Sequence, residues 1–547
     1  MSSKDNTASS TLSAPLTNPT FRAIWIANQF SSLGWLMQAV AISWLMATIS
    51  TSDVMVALVQ ASSTSPAFFM AIFVGAIADN FSRRKVMIIG RSLMMTASAM
   101  LTLSIAFGVT EPWIILGFSF LAGCGIALHD PAWQASVGDI VERPQLPAAV
   151  TLISVGFNTV RSVGPALGGV VVASAGPLFA FGIATFGFAV PLITLWQNKW
   201  KTLSSSLPRE AMFTAIYDGL RFTAMSSEIK ATIARGALFG LASTSILALL
   251  PLVARDQLHT DAVGFGVLMG GFGAGAFLGG ISNPWFRQML TQEMLITLAC
   301  IALATCSFLL TFTSSLTFAT IALAFGGAGW VTAWSGLGVN VQLASPRWIT
   351  GRTISIYSAL TNGGIAAGSW LWGTVAQSHS LSVAFGCSTG AILMVAALGL
   401  KLPISNRSES ELEPSGNFSA PTVALDLKPR SGPILIITEY SIPEQNIDLF
   451  LEIMRERRHA QSRVGARHWT LTRDVGQTSR WIETYRTPTW TDYRRLHHRY
   501  TSADTQLDQE LLRLSTDGCP SRTTILIERP TGAVRKSYPT VPYVSQK

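Results

Sequence analysis

The sequence predicts an all-α membrane protein with twelve transmembrane helices in two six-helix halves, followed by a small α+β soluble domain. Three observations predict this fold class. The 547-residue chain is 49% hydrophobic and only 13% charged, whereas soluble domains carry about 25% charged residues. Apolar runs of about 20 residues, long enough to cross a bilayer as helices, recur from Phe21 to Leu402. After Leu402 the sequence becomes polar, which indicates a segment outside the membrane.

The apolar runs divide into two equal sets. The longest loop between them covers 198–230, and six runs lie on each side of it. We therefore expect an N-terminal half at 21–197, a central cytoplasmic loop at 198–230 and a C-terminal half at 231–402. The predicted spans are 21–48, 54–78, 85–108, 112–137, 147–174, 177–197, 231–253, 262–285, 291–312, 316–342, 350–376 and 380–402.

The distribution of Lys and Arg predicts the orientation, because positive residues in short loops stay cytoplasmic. The loops after spans 1, 3, 5, 9 and 11 contain neither residue, and the loop after span 7 contains only Arg255. Both termini are therefore predicted to be cytoplasmic, with residues 1–20 as an arm that lacks signal-peptide features. The net charge of +9 follows from this bias, so no nucleic-acid partner is expected. The alternate loops and their flanks contain Arg83, Arg84, Lys85, Arg143, Lys199, Lys201, Arg209, Arg221, Lys230, Arg287 and Arg347.

Cofactor and metal chemistry finds little support in the sequence. The five cysteines lack metal-ligand spacing and are expected to be free thiols. The glycine-rich run at 264–280 is followed by no Lys-Ser/Thr pair, so it indicates close helix packing rather than a phosphate loop. We expect no cofactor, no metal and no ATP-driven transport.

An internal repeat supports the division into halves. Gly75, Asp79 and Arg83 are matched by Gly279, Asn283 and Arg287 at a constant offset of 204 residues. Duplicated halves are typical of secondary transporters.

The sequence after the last span predicts a separate domain. Residues 403–432 read as a linker, 433–530 as a folded domain and 531–547 as a tail. Strand patterns at 434–438, 468–472, 481–485 and 523–528 alternate with helical patterns at 444–463 and 490–515. The order β-α-β-β-α-β is the ferredoxin-like arrangement.

The stretch GAIADNFSRRK, residues 75–85, places an acid and three cations between two apolar spans. Positive-inside topology alone accounts for the cations but not for Asp79. The stretch resembles the loop between helices 2 and 3 of the major facilitator superfamily, in which Gly75, Asp79, Arg83 and Arg84 match the family pattern. Asn80 and Ser82 replace the usual Arg and Gly. The resemblance implies a conformational latch that stabilises one alternating-access state.

A second motif lies in span 5. Gly164, Pro165, Gly168 and Gly169 resemble the glycine-proline motif in helix 5 of superfamily exporters, where a bend and close packing are needed. With the segment 129–150, it is similar to the bacterial enterobactin-exporter-like subgroup. This resemblance implies an inner-membrane secondary transporter that exports a small amphipathic metabolite, siderophore or drug in exchange for protons. An importer, a lysophospholipid flippase and a transporter-like sensor are the alternatives.

Arg161 and its neighbour Asn158 are candidates for the substrate site. Arg161 lies about 14 residues into span 5, roughly 21 Å from the cytoplasmic edge, where an arginine must face a cavity or a partner. It binds a polar or anionic substrate, or else it bonds carbonyls freed by Pro165 and fixes helix packing.

Asp130 precedes Pro131 in span 4 and is a candidate for the exchanged proton, with a brace at a proline bend as the alternative. The amides Asn28, Gln38 and Asn362 either face a central cavity or hold helices together.

The C-terminal domain resembles the dimeric α+β barrel family, in which a partner usually covers the sheet. We therefore expect a homodimer through this domain, besides the small-molecule substrate, membrane lipids and protons as partners. The same family includes cofactor-free monooxygenases, and His468, Trp469, His497 and His498 are candidates to line a pocket. No nucleophile-base pair accompanies them, so enzyme activity is not expected.

Overall fold

The computed structural model describes residues 13–200, 212–346, 348–402, 424–500, 502–514 and 522–528. The chain separates into two compact units, Met1–Arg407 and Ser408–Lys547. The first unit is helical and the second contains a small sheet, and each is described by itself.

Six long helices form the first part of the helical unit. Most of them have proline in the first turn, where a helix has no acceptor for the N–H that proline lacks. Asn18 caps the first helix by accepting hydrogen bonds from the backbone amides of Thr20 and Phe21. The six helices are α1 (Pro19–Ile49), α2 (Asp53–Asn80), α3 (Arg83–Ala106), α4 (Pro112–Ile140), α5 (Leu146–Ala175) and α6 (Pro177–Gln197).

A short helix, α7 (Met212–Met225), lies in the segment that the sequence predicted to be a loop. The predicted connection therefore contains a short helix, in which the Phe222 ring is buried edge-on against Trp348. Six further long helices follow: α8 (Ser227–Leu252), which continues as a π-helical turn (Val253–Gln257), α9 (Ala262–Met289), α10 (Gln292–Leu310), α11 (Leu316–Leu343), α12 (Thr350–Ser378) and α13 (Leu381–Lys401).

Ten helices in the described part of the chain are long and apolar enough to cross a membrane. They are α1, α3, α4, α5, α6, α8 with its π-helical turn, α9, α10, α11 and α13. Helices α2 and α12 are 28 and 29 residues long and pack lengthwise against each other. The fold is therefore that of a mostly helical membrane protein.

We call α1 to α6 the first half of this unit and α8 to α13 the second half, and two helix pairs make the most extensive contacts between them. Helix α5 packs against α9, where a Cβ on Gly169 would lie 2.7 Å from Gly266 Cα. Helix α2 packs against α12, where a Cβ on Gly373 would lie 2.7 Å from Ala57 Cβ. Glycine is therefore required at both crossings for the backbones to approach this closely.

A set of polar contacts between the halves lies at one end of the bundle. Arg255 on the π-helical turn lies 3.6 Å from the Asp53 carboxylate and donates to the carbonyls of Ala47 and Ser50. Gln377 at the end of α12 accepts from Ser52 Oγ at 2.8 Å. We call this end, which carries the α1–α2 connection, the closed end.

The opposite end, which we call the open end, is looser. Between residues 164 and 175 of α5, five residues are buried: Gly164, Pro165, Gly168, Gly169 and Val172. The longer stretch before Gly164 buries only Ala149 and Leu152. Helix α9 likewise exposes Leu278, Ile281, Trp285 and Met289 near its end. The α5–α9 interface thus extends from the closed end to the middle of α5, where Ser162 donates to the Gly273 carbonyl at 3.0 Å.

The second unit contains a four-stranded antiparallel sheet in the order β2-β3-β1-β4. Its strands are β1 (Ile434–Ser441), β2 (Arg467–Arg473), β3 (Arg480–Thr487) and β4 (Arg522–Ile527), and its helices are α14 (Ile447–Val464), α15 (Trp490–His498) and α16 (Ser502–Leu514). The prediction of a single helix at 490–515 is wrong, because the structure has two helices, α15 and α16, in its place. Helix α15 ends at Arg499, whose guanidinium donates to the backbone carbonyl of Val464.

One face of this sheet is buried beneath helices. Tyr440, Phe450 and Trp481 form an aromatic cluster. Beside it Glu483, which is 0% exposed, accepts from Tyr440 Oη and Trp469 Nε1, both at 2.7 Å, and from Arg457 Nε at 3.0 Å. A buried carboxylate is tolerated here because donors surround it.

Candidate functional site

The helix 5 motif lies where α5 meets two neighbours. A Cβ on Gly168 would lie 2.9 Å from Met37 Cα on α1, within the same half, while Gly169 faces α9 in the other half. Pro165 contributes its carbonyl to the same crossing, 3.0 Å from the position of a Cβ on Gly266. The motif therefore permits close packing both inside the first half and between the halves at the closed end.

Arg161, one turn before Pro165, reaches into the second half. Its guanidinium lies 4.5 Å from the ring centroid of Trp330 on α11 and 5.9 Å from that of Phe272 on α9. Among the residues whose side chains are described, no carboxylate forms an ion pair with the Arg161 guanidinium. This cation therefore lies on aromatic rings at the junction of the halves, which is a geometry for cation–π attraction.

The ring beneath Arg161 belongs to a larger aromatic row. Trp330 and Trp334 stack with centroids 4.9 Å apart and an interplanar angle of 16°. Tyr357 on α12 continues the row at 6.4 Å from Trp334 and donates its hydroxyl to the Trp334 carbonyl at 3.2 Å. The spacing along the spans does not connect these residues with Arg161, although an arginine and indoles inside apolar spans are the available signal.

The predicted amides fall into two groups. Asn158 and Asn362 are half-buried and donate to carbonyls one turn earlier in their own helices, Ser154 and Ser358, both at 2.8 Å. Gln38 is 1% exposed and accepts from Ser98 Oγ on α3 at 2.8 Å, and Asn28 is buried in the same way. Gln38 and Asn28 therefore hold α1 against α3, which is the packing alternative.

Asn28 accepts from a residue that the sequence analysis missed. Arg91 on α3 is 5% exposed and donates to Asn28 Oδ1 at 2.8 Å and to Ser31 Oγ. An arginine at the seventh position of the predicted span 85–108 was a signal comparable to Arg161, but its position close to three loop cations concealed it.

Asp130 lies on α4 near this arginine. Its carboxylate is 57% exposed and lies 3.0 Å from Nδ1 of His129, whose own side chain is buried. A half-exposed carboxylate in a membrane helix must reach water. The structure thus separates Asp130 from Arg161, whose contacts are the aromatic rings of the second half.

The predicted latch residues bind within the first half. Arg83 donates to Asp139 Oδ2 and to the Ala135 carbonyl, both at 2.8 Å. Arg84 donates to the Leu195 and Trp196 carbonyls at the end of α6. Gly75 and Asp79 belong to α2, and their burial and contacts lie outside the described part of the chain. Both arginines therefore fasten α3 to its neighbours at the open end.

The repeat partner of this loop differs in detail. Asn283 is buried on α9 and donates to Ser335 Oγ at 3.4 Å, and Gly279 lies close against Ala328. Arg287 is exposed. Gly279 therefore supports close helix packing in the second half. Arg287 is exposed, whereas its repeat partner Arg83 forms an ion pair with Asp139.

A family model described as "Transmembrane secretion effector" matches residues 9–531, which is nearly the whole chain. The chain belongs to this family of major facilitator transporters. The match confirms the resemblance drawn from the two motifs, and it extends through the C-terminal sheet. Catalysis of a chemical reaction is not the function of this family.

Curated relatives of this transporter are similar over nearly three quarters of this chain and almost their own full length. Enterobactin exporter EntS of Salmonella choleraesuis (strain SC-B67) is 28% identical over 405 residues, covering 71% of this chain and 94% of the relative. Enterobactin exporter EntS of Escherichia coli O1:K1 / APEC is 26% identical over 414 residues, covering 74% and 96%.

Solved structures agree on the fold. The nucleoside transporter NupG superposes with a TM-score of 0.55 at 14% identity, covering 70% of this chain and 98% of that one. A bacterial homologue of the human lysosomal transporter Spinster, in its inward-facing and unoccupied conformation, gives 0.51 at 15% identity and covers 70% and 95%. At these identities the likeness establishes the major facilitator fold of this multi-pass inner-membrane transporter.

Proposed function

We propose that this transporter exports a small anionic metabolite bearing aromatic groups, such as a siderophore, in exchange for protons. The observation that carries the proposal is the Arg161 guanidinium, 4.5 Å above the Trp330 ring at the junction of the halves. Export is supported by the curated relatives, which are named as enterobactin exporters.

The chemistry of this junction favours an anion with planar groups. Arginine matches carboxylates and oxyanions through its fork of donors and also stacks on aromatic faces. Its charge is not neutralised by any described carboxylate, and the stacked pair Trp330 and Trp334 offers a flat surface beside it. The packing alternative needs Arg161 to donate to carbonyls freed by Pro165, whereas its observed contacts are rings.

Twelve membrane spans are part of the proposal. In addition to the ten apolar helices, we include α2 and α12, which pack against each other between the halves. Helix α12 is rich in Gly, Ser and Thr, and such residues suit a helix whose neighbours are other helices rather than lipid. Lipids then cover the outer helices.

The positive-inside bias supports cytoplasmic termini and a cytoplasmic open end. Arg83 and Arg84 lie at the open end, and the closed end is the one poor in Lys and Arg. In this orientation the described conformation accepts cargo from the cytoplasm. The role that we propose for Arg83 and Arg84 changes accordingly. These residues hold α3, α4 and α6 together as one unit. The two halves then rock around the Arg161 site.

For the C-terminal domain we propose a ferredoxin-like fold and a homodimer. Support comes from the element order and the sheet order β2-β3-β1-β4. The sheet face opposite the helices carries Leu435, Ile437, Ile482 and Leu526, of which Leu526 is exposed. A second copy covering this face would bury an apolar surface that water otherwise contacts. The proposed bounds are 403–432 for the linker, 433–530 for the domain and 531–547 for the tail.

Uptake into inverted membrane vesicles tests the function. The probes are a catecholate siderophore, a macrolide, a lipophilic dye and a lysophospholipid, each with and without an imposed pH gradient. We expect gradient-dependent accumulation of the catecholate, with affinity reduced roughly 10- to 150-fold in Arg161→Ala, because a hydrogen bond to a charged group contributes about 1.5–3 kcal/mol.

Arg161→Lys keeps the charge but loses the planar fork, so we expect intermediate affinity. Arg287→Ala removes an exposed arginine from α9 and serves as the matched control. Equal uptake by Arg161→Ala and Arg287→Ala would refute the role of Arg161, and accumulation of the lysophospholipid alone would support a flippase.

A further inference from the structure

Two exposed cations lie where α3 begins and α6 ends, at the open end of the helical unit. Arg84 donates from Nε to the Leu195 carbonyl at 2.8 Å and from Nη2 to the Trp196 carbonyl at 3.0 Å, so these two helix ends adjoin. Lys85 follows Arg84 on α3, Lys199 lies just beyond the end of α6, and both are exposed. We propose that the two lysines bind the phosphate of an anionic phospholipid whose acyl chains lie along the outer faces of α3 and α6.

The charge of this surface is not balanced by nearby acids. Helices α3 and α6 and residues 198–200 contain no Asp or Glu. Asp139 on the neighbouring helix α4 forms its ion pair with Arg83. No carboxylate whose side chain is described forms an ion pair with Lys85 or Lys199. Two ammonium groups on adjoining helix ends therefore attract a phosphate diester, as basic pockets between transmembrane helices do on the cytoplasmic side.

Apolar side chains lie directly below these cations on the outer face of both helices. Ile89 is one turn deeper than Lys85 on the same face of α3, and it is 59% exposed. On α6, Ile193 and Trp196 are 56% and 66% exposed. Because α3 and α6 are long and apolar enough to cross a membrane, these surfaces contact acyl chains, and the Trp196 ring lies at the headgroup level that tryptophan prefers. Cation and apolar surface thus follow each other in the order of phosphate and acyl chain in a phospholipid.

Two exposed cations of the second half lack this arrangement. Arg287 is the single charged residue of α9, and the next helix has Glu293 in its first turn. Lys230 on α8 has Glu228 in the same first turns of its helix. An acid therefore lies close in sequence to each of these cations, which makes the pair a suitable control for the two lysines.

A phosphate held by both lysines would join the two helix ends that Arg84 already connects. Arg84 is the positioning residue, since it donates to the last carbonyls of α6 and so brings the end of α6 to the start of α3. A ligand that binds only the folded state raises its stability. Anionic lipid should therefore stabilise the first half against thermal unfolding.

Lipid binding to the full chain tests the proposal. The detergent-solubilised protein is titrated with phosphatidylglycerol and with phosphatidylcholine of the same acyl chains, and bound lipids are counted by native mass spectrometry. We expect phosphatidylglycerol to bind more tightly. The double variant Lys85→Gln/Lys199→Gln should bind it roughly 25-fold more weakly, because each lysine near an anionic headgroup accounts for about a factor of five. The measurement needs neither cargo nor a pH gradient, so its outcome is independent of the proposed transport function.

Two further variants separate a defined site from general charge. Lys230→Gln/Arg287→Gln removes the same charge from the second half and is the matched control, expected to bind phosphatidylglycerol as the parent does. Lys85→Arg/Lys199→Arg keeps both charges and is also expected to bind as the parent.

Three results would overturn the proposal. They are equal binding of the two lipids by the parent, an unchanged lipid preference in Lys85→Gln/Lys199→Gln, and an equal loss of binding in the matched control or in Lys85→Arg/Lys199→Arg. Competition by soluble glycerol phosphate as strong as that by phosphatidylglycerol would also overturn it, because the surface would then recognise a free anion rather than a lipid.

Discussion

The glycine crossing between α5 and α9 makes a specific prediction about the conformational equilibrium. In Gly169→Ala the new Cβ would lie 2.6 Å from the Ala262 carbonyl oxygen and 2.7 Å from Gly266 Cα. Ordinary contacts begin at 3.4 Å, so the helices must separate by about 0.8 Å (3.4 − 2.6) at the closed end. Both obstructing groups are backbone, and no side chain can rotate away.

Overpacking of this kind costs typically about 1–3 kcal/mol. Because the strain exists only while the closed end is shut, it should shift the ratio of the two conformers by about 5- to 150-fold toward the state in which that end has separated. Spin labels at Ser154→Cys on α5 and Ile281→Cys on α9, both toward the open end, report this change when they are introduced into the full chain without its five native cysteines. We expect a shorter distance between them, together with slower vesicle uptake because one conformation of the cycle is disfavoured.

Two neighbouring glycines provide the controls. Gly168→Ala meets Met37 Cα at 2.9 Å inside the first half, so it should lower the melting temperature without changing the label distance. Gly182→Ala on α6 meets nothing within 4 Å and should behave as the parent. The reasoning is refuted if Gly169→Ala leaves the distance distribution unchanged, or if Gly168→Ala shifts it equally.

Three further predictions concern charged groups. Arg255→Gln removes the ion pair with Asp53 and a donor to the Ala47 carbonyl, and so weakens the contacts that hold the closed end shut. The distance between the two labels at the open end should therefore decrease, whereas Arg287→Gln should leave it unchanged. Glu483→Gln places a neutral amide beside Arg457, which is 12% exposed and keeps its ion pair with the partly exposed Asp508. The loss of stability of the C-terminal domain, measured by hydrogen exchange, should be about 3 kcal/mol, against about 0–1 kcal/mol for the partly exposed Glu439→Gln; equal losses would contradict the assignment. Burial and the charge of Arg457 lower the pKa of His497 from 6.5 to about 4, so the unfolded state binds more protons between these values, and the domain should lose stability as the pH falls from 6.5 toward 4. His497→Gln should flatten this dependence while the exposed His459→Gln keeps it, and a pH profile unaffected by His497→Gln would exclude this residue as its source.

Much of the architecture is encoded locally. The apolar runs set where helices lie because each must cover about 30 Å of hydrocarbon, and the observed bounds of α1 to α6 and α8 to α13 differ from the predicted spans by a few residues. The helix break after Arg499 and the helix α7 were missed, since both depend on contacts with distant residues, Val464 and Trp348 respectively.

The motifs also carried the family assignment without any structure. Gly75, Asp79, Arg83 and Arg84, together with the Gly-Pro motif in α5, indicated the superfamily that the family model confirms. What each motif residue does was not encoded in the motif. Gly168 and Gly169 are adjacent in sequence, yet one faces its own half and the other faces α9, because consecutive helical positions point about 100° apart.

By itself, then, the sequence determined the class of protein, the helix positions and the presence of polar residues inside apolar spans, because hydrophobic length and composition are local properties. Only the tertiary structure decided which of those polar residues hold helices together and which lie at the junction of the halves. Gln38 and Arg161 are both polar residues in apolar spans, but Gln38 bonds Ser98 and Arg161 rests on Trp330. That difference depends on how each helix is rotated and which distant helix packs beside it, and the spacing along one span does not contain this information.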